Sequence, residues 1–290
     1  ITPFSTVANM KLATVYLKDQ GRTSAALVNE IKDDHADINL LPYDNVRLLL
    51  EDPTPSLQAK PGSQRNIDLT AFCAPIPDPA KIICVGLNYT RHIAEMGLSE
   101  PAVPTFFIKF ADALAAPFAD LNIPTYAQSE CDYEGELAII IGKEVYQASE
   151  DEAASAIAGY AIMNDFSMRD YQNRTLQYHQ GKSFYKCSGF GPWVTTKDEW
   201  DLEQGSMLAT YVNDERRQFD KVDDVIFKPA YLVSYASQLY PLRPGDVLVA
   251  GTPEGVAAGK NDHPFLADGD TISISIEGLG EIKNRIIFDK

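Results

Sequence analysis

The longest apolar runs in this chain are short. Leu137–Ile141 and Ile82–Val85 are each closed off by glycine or a charged residue. Such runs suit buried β-strands and fall far short of the roughly 18 apolar residues of a membrane span. Pro104–Lys109, Asp132–Ile141, Ala158–Met163, Leu208–Val212, Val247–Ala250 and Glu281–Ile287 read as further strands. Helical spacing is confined to short segments: Val46–Glu51, Glu152–Ile157 and Tyr231–Leu239, the last with Leu232, Tyr235 and Leu239 on one side. Strands that do not alternate with long helices argue against a doubly wound α/β fold. The expected class is α+β, mainly β, with mixed sheets.

With 290 residues, 45% of them apolar, the chain can bury one large core and carry a small partner domain. Lys11–Leu50 reads as a small α+β unit, with strands at Leu12, Thr14 and Tyr16 and at Ala25–Val28. The turn-rich stretches Pro53-Thr-Pro and Pro61-Gly-Ser mark a linker. The expected division is therefore residues 1–75 as a small N-terminal domain and linker, and 76–290 as the catalytic domain. A net charge of -16 repels phosphate backbones and excludes nucleic acid as a natural partner; no membrane partner is expected either. Cys73, Cys84, Cys131 and Cys187 form no CxxC pair, which excludes a zinc ribbon and points to reduced thiols in a cytoplasmic protein.

The segment Asp132-Tyr-Glu134-Gly-Glu136-Leu-Ala-Ile-Ile-Ile carries the strongest chemical signal. Side chains two apart on a strand share a face, so Glu134 and Glu136 point the same way at the mouth of an apolar strand. Two such carboxylates repel unless a cation lies between them, and a hard divalent ion is the natural partner. A third oxygen ligand is expected at the end of the strand Ala158–Met163, from Asp165 or, on spacing alone, Asp170. Carboxylates without clustered His or Cys favour Mg²⁺ or Mn²⁺ over zinc.

His92 and Glu95, three apart, meet if their segment is helical and form a plausible proton shuttle. Lys182 in Gly181-Lys-Ser183 lacks the earlier glycine of a phosphate loop; beside a bound oxo-acid it suits an enolate oxygen. Gly251-Thr252-Pro-Glu-Gly255 offers backbone N–H groups and a hydroxyl to a carboxylate. A solvated acidic face, an exposed helical pair, a surface lysine and a plain turn account for these signals one at a time, but not for their combination.

In this order the motifs resemble the fumarylacetoacetate hydrolase family. The resemblance covers roughly Lys81–Ile287: Gly86-x-Asn88-Tyr-x-x-His92, Asp132-Tyr-Glu-Gly-Glu-Leu-Ala, Asn164-Asp-Phe-Ser-Met-Arg-Asp, Gly181-Lys-Ser, Gly191-Pro-Trp, Pro244-Gly-Asp and Gly251-Thr-Pro-Glu-Gly-Val. It implies a mixed β-sandwich roll, usually assembled as a homodimer. It implies Glu134, Glu136 and Asp165 as metal ligands, and so selects Asp165 over Asp170. It further implies His92 and Glu95 on a lid, Lys182 at the oxyanion, and Tyr89, Lys109, Arg169, Gln172 and Thr252 around the substrate. The implied activity is metal-dependent hydrolysis of a C–C bond in a dioxo-acid of the acylpyruvate or fumarylacetoacetate type. The alternative is an isomerase or decarboxylase of a 2-oxo acid, and the rival from another class is a non-catalytic metal- or ligand-binding homologue. Two stretches depart from the family pattern, Lys109-Phe110-Ala-Asp112-Ala and Phe184-Tyr-Lys186-Cys; they suggest a bulkier or more aromatic oxo-acid.

Overall fold

The structure, a computed structural model, describes residues 10–59, 61–259 and 263–290. Among them an eleven-stranded sheet runs from edge to edge as Gln64–Asp68, His35–Leu40, Arg22–Lys32, Lys11–Leu17, Ser188–Thr196, Ile157–Asn164, Gly135–Ile141, Val247–Val249, Ile82–Gly86 and Thr105–Ile108, with Leu114–Ala115 also pairing on Ser188–Thr196. Neighbours are antiparallel except Val247–Val249 beside Ile82–Gly86 and Leu114–Ala115 beside Ser188–Thr196. A five-stranded sheet holds Glu215–Lys221, Met207–Val212, Thr271–Ile276, Gly280–Phe288 and Leu121–Ile123. The chain is thus mainly β with mixed sheets, as its short apolar runs imply. Among the described residues no helix is long and apolar enough to cross a membrane.

Alternation along Gly135–Ile141 sorts the core. Leu137, Ile139 and Ile141 enter one apolar layer with Leu208, Ile272 and Leu232, while Ala138 and Ile140 enter another with Val247 and Val249. Glu136 shares the parity of the second set, so its carboxylate emerges at the strand mouth on that face.

Three expectations shift in detail. The strand expected over Asp132–Ile141 is broken: Cys131–Asp132 pairs with Ser167–Met168, and only Gly135–Ile141 joins the large sheet. Tyr133 and Glu134 span the change of partner. The helix expected over Glu152–Ile157 is Glu150–Ala156, because Ser149 and Glu152 form a reciprocal capping box that starts it earlier. The helix Pro229–Leu239 buries Pro229, Leu232, Val233 and Ala236, while Leu239 is 58% exposed. Tyr235 turns aside to stack with Tyr231 and meet Phe106.

The N-terminal strands do not form a separate sheet. Lys11 and Leu12 pair with Thr195 and Val194, which makes the first four strands a continuation of the large one. Pro61-Gly-Ser is a turn leading into Gln64–Asp68, which pairs with His35–Leu40. Helix Val46–Glu51 lies where its spacing predicts, capped by Asn45, whose side-chain oxygen accepts from Leu48 N–H.

Candidate active site

Two strand ends bring the carboxylates together. Gly135 lies opposite Asn164 in the ladder. Just beyond, Asp165 N–H donates to Glu134 O at 2.9 Å, and Glu134 N–H donates to Asn164 Oδ1 at 3.0 Å. One carboxylate oxygen from each of Glu134, Glu136 and Asp165 then falls within 4.8 Å of the others. All three side chains are buried.

Cations pack around this group. Lys182 Nζ donates to Glu134 Oε2 at 2.7 Å and to Asp165 Oδ2 at 2.9 Å. Lys109 Nζ lies 2.9 Å from Asp165 Oδ1. Arg169 spans Asp132 at 2.7 Å and Glu134 at 2.8 Å. Lys182 sits on the short helix His179–Lys182, and Gly181 lets that helix approach. A Cβ there would lie 2.5 Å from Gln172 N and from Met168 O, so only glycine fits. Glu136 differs from its neighbours: its carboxylate accepts from Gly251 N–H at 2.7 Å and takes no ion pair among the described residues.

The charge count is unequal. Four buried carboxylates (Asp132, Glu134, Glu136, Asp165) face three buried cations (Lys109, Arg169, Lys182), and the surplus falls on Glu136. Burial, with the Asp165 and Glu134 charges, pushes the Glu136 carboxyl well above the ordinary range. Burial would also raise Glu134, but Lys182 and Arg169 more than offset it and hold Glu134 below its usual value. The reverse balance acts on Lys182, where burial favours loss of the proton and the Asp165 and Glu134 charges prevail, raising it. An all-oxygen donor set with one carboxylate lacking a cationic partner fits a hard divalent ion.

His92 lines the same cavity as Glu134, Glu136, Arg169, Lys182 and Thr252. Its helix, Thr90–Glu95, brings His92 Nδ1 to 3.1 Å from Glu95 Oε2, and Gly255 N–H donates to Glu95 Oε1 at 3.0 Å. Asn88 anchors the helix from behind, donating to Phe227 O and Ala250 O and accepting from Phe227 N–H. Arg91 ties its outer face to Asp220. The cavity's volume is about 80 Å³, below the roughly 300–1,000 Å³ of sites for drug-sized ligands, so it suits a small acid.

Of the other residues the resemblance placed around a substrate, Arg169, Gln172 and Thr252 line the cavity. Gln172 Oε1 accepts from Arg169 Nη1 at 2.9 Å. The Thr252 hydroxyl donates to Gly135 O and accepts from Gln218 Nε2. Two do not reach the wall. Tyr89 is buried with its hydroxyl donating to Val222 O, and Lys109 lies behind Asp165. Phe110 and Phe184 do not line it either. Phe107 and Lys109 share one side of their segment, so Phe110 turns outward against the His179 ring, and Phe184 packs on Tyr171 and Tyr126. The sequence reading missed Asp132 as the partner of Arg169, although it shares the two-residue alternation with Glu134 and Glu136. It also missed Gln218, which nothing local marks.

Residues 81–287 match the family model described as fumarylacetoacetate (FAA) hydrolase, C-terminal. The chain belongs to the fumarylacetoacetate hydrolase family. Within that family, oxaloacetate tautomerase FAHD2A, mitochondrial, of Homo sapiens is 35% identical over 218 residues, 74% of this chain and 69% of its own. Oxaloacetate tautomerase fahd2, mitochondrial, of Xenopus laevis is 36% identical over 227 residues, 78% of this chain and 70% of its own. Among solved structures, the fumarylacetoacetate hydrolase EaFAH from Exiguobacterium antarcticum superposes with a TM-score of 0.84 at 28% identity, covering 97% of this chain and 100% of that one. The 2-hydroxyhepta-2,4-diene-1,7-dioate isomerase from Mycobacterium marinum gives 0.79 at 30% identity, covering 97% and 99%. Like these relatives, this family member is an enzyme.

Proposed function

We propose that this enzyme enolises a small 2-oxo acid with the help of a divalent cation, so that it interconverts keto and enol forms or shifts a double bond. The observation that carries the reading is one cavity lined both by Glu134 and Glu136, two of the clustered carboxylates, and by a histidine whose other ring nitrogen is fixed by Glu95. Glu134, Glu136 and Asp165 would hold the divalent cation, Mg²⁺ or Mn²⁺, and when bound it would supply Lewis-acid polarisation of the substrate carbonyl. With Nδ1 engaged by Glu95, His92 presents Nε2 for a proton leaving or returning to the carbon next to that carbonyl. Lys182 donates to the oxygen that gains charge. Arg169, steadied by Gln172, attracts the substrate carboxylate.

The names of two of the relatives, oxaloacetate tautomerase and dienedioate isomerase, support tautomerisation or isomerisation, while the name of EaFAH, a fumarylacetoacetate hydrolase, supports hydrolysis. Hydrolytic C–C cleavage is the second reading, because His92 with Glu95 is equally suited to deprotonating water. Decarboxylation draws on the same enolate chemistry. We further propose that the chemistry belongs to residues 76–290 and that the enzyme works as a homodimer. All four cysteines are free, which supports a reducing compartment, the cytoplasm or one within the mitochondrion that the relatives' names give.

Proton NMR in D₂O tests the reading, using 2-oxo acids and acylpyruvates with Mg²⁺ or with chelator. Metal-dependent exchange at the carbon beside the carbonyl, without new acids, supports tautomerisation; two product acids support hydrolysis. Exchange in His92→Ala at the wild-type rate refutes the assignment of the base.

A further inference from the structure

The cavity has two unlike halves. Its floor is the buried charged group, while its rim is apolar. Met96 and Leu98 are 38% and 51% exposed and line the cavity together with Leu87, Phe107 and Tyr178. Phe107 and Tyr178 meet edge to face with ring centroids 5.7 Å apart.

Met96 and Leu98 belong to the segment that carries His92. After helix Thr90–Glu95 the chain closes with Gly97 N–H donating to Ala94 O at 3.1 Å and Leu98 N–H donating to Ile93 O at 3.0 Å. This Schellman closure places Gly97 at φ +67°, a conformation glycine adopts without strain. It sets Met96 and Leu98 within about a turn of His92, at the opening above the carboxylates.

We propose that Met96 and Leu98, with Leu87, Phe107 and Tyr178, form an uncharged distal subsite that selects oxo-acids with an apolar end over dicarboxylates. The proposal rests on the reading of this cavity as an oxo-acid site. Two observations carry it. First, among the described residues the lysine and arginine side chains that line the cavity are Lys182 and Arg169, and both are already paired with Asp132, Glu134 and Asp165 on the floor. A second substrate carboxylate at the rim meets Met96, Leu98, Leu87, Phe107 and the Tyr178 phenol rather than a lysine or arginine. Second, with all four carboxylates ionised around a bound ion, the buried side chains supply one more negative than positive charge; a divalent cation there would leave a net charge of one positive, which a monoanion balances. A dianion leaves an unpaired charge in a poorly solvated place, on a chain whose net charge is already -16.

The test compares 2-oxopentanoate with 2-oxoglutarate, which share a five-carbon chain and differ at the far end, methyl against carboxylate. Their binding to the full chain in saturating Mg²⁺ is measured by calorimetry, so the readout does not depend on turnover. The wild-type protein is expected to bind 2-oxopentanoate about tenfold or more tighter, the scale of discrimination an apolar pocket achieves. Leu98→Lys or Met96→Lys, each at an exposed rim position, is expected to shift that ratio about tenfold toward 2-oxoglutarate. Equal or tighter binding of 2-oxoglutarate by the wild type, or a ratio unmoved by both variants, overturns the proposal alone. If neither acid binds with Mg²⁺ or Mn²⁺, the oxo-acid reading itself fails and the proposal with it.

Discussion

Glu136 gives the sharpest stability test. Its burial and the neighbouring Asp165 and Glu134 charges raise its carboxyl well above the value of 4.5 expected when unfolded. In the metal-free protein above that pH, the folded state therefore holds a proton that the unfolded state has lost. Stability from this group is complete below pH 4.5 and declines as pH rises toward the folded value, by up to about 1.4 kcal/mol per pH unit. Glu136→Gln keeps an acceptor for Gly251 N–H and cannot ionise, so it escapes the decline. The assay is urea unfolding of both proteins in chelator between about pH 5 and 8, where other groups titrate alike and cancel in the difference. The variant's advantage should grow with pH. Excess Mg²⁺ should reverse the order, since binding at a hundredfold excess over Kd adds about 2.7 kcal/mol that the variant largely forfeits. A difference that is flat with pH, or that falls as pH rises, refutes the account of Glu136 as the carboxylate without a cation.

Other outcomes follow from the same geometry. His92→Ala should lower kcat by about 10²–10⁴-fold while Mg²⁺ affinity by calorimetry stays near wild type, because His92 is not among the clustered carboxylates. Gly181→Ala should destabilise by about 1–3 kcal/mol in urea unfolding, its Cβ colliding with backbone at Gln172 and Met168. Phe110→Ala should leave KM within about twofold, whereas Phe107→Ala, which removes part of the rim, should raise KM for apolar-ended acids by about tenfold or more.

The carboxylate cluster was legible because it depends on local periodicities. Glu134 and Glu136 stand two apart, and Asp165 closes a strand whose apolar run shows in the sequence. His92 and Glu95 were legible for the same reason, at helical spacing. What escaped depends on pairing across long separations. The ladder between Lys11–Leu12 and Val194–Thr195 makes the N-terminal strands part of the large sheet, and no local pattern reports it. Gln64–Asp68 is an edge strand, Gln-Arg-Asn-Ile-Asp, whose single apolar residue is Ile67, so it carries no apolar alternation. Phe110 and Phe184 misled because departure from a family pattern marks a position without saying which way its side chain points. Phe107, three residues before Phe110, lines the cavity instead, with Tyr178.

Lys182 shows why the floor and the proposed reaction are hard to separate. An ammonium has three hydrogens. Two are committed at 2.7 and 2.9 Å to Glu134 and Asp165, and a third approach, to Asp165 O, is long at 3.4 Å. The first two offset repulsion between carboxylates that must lie close enough to share a cation. The weakly engaged third hydrogen is what remains for an oxygen gaining charge in the cavity that Lys182 lines. Replacing this lysine therefore removes a structural clamp and, on the proposed mechanism, an oxyanion donor together. Lys182→Met should reduce both metal affinity and turnover, whereas Lys182→Arg should recover the clamp more fully than the turnover, because its planar fork suits carboxylates and cannot re-aim one hydrogen. Equal recovery of affinity and turnover in Lys182→Arg would show that the clamp is the whole of its role.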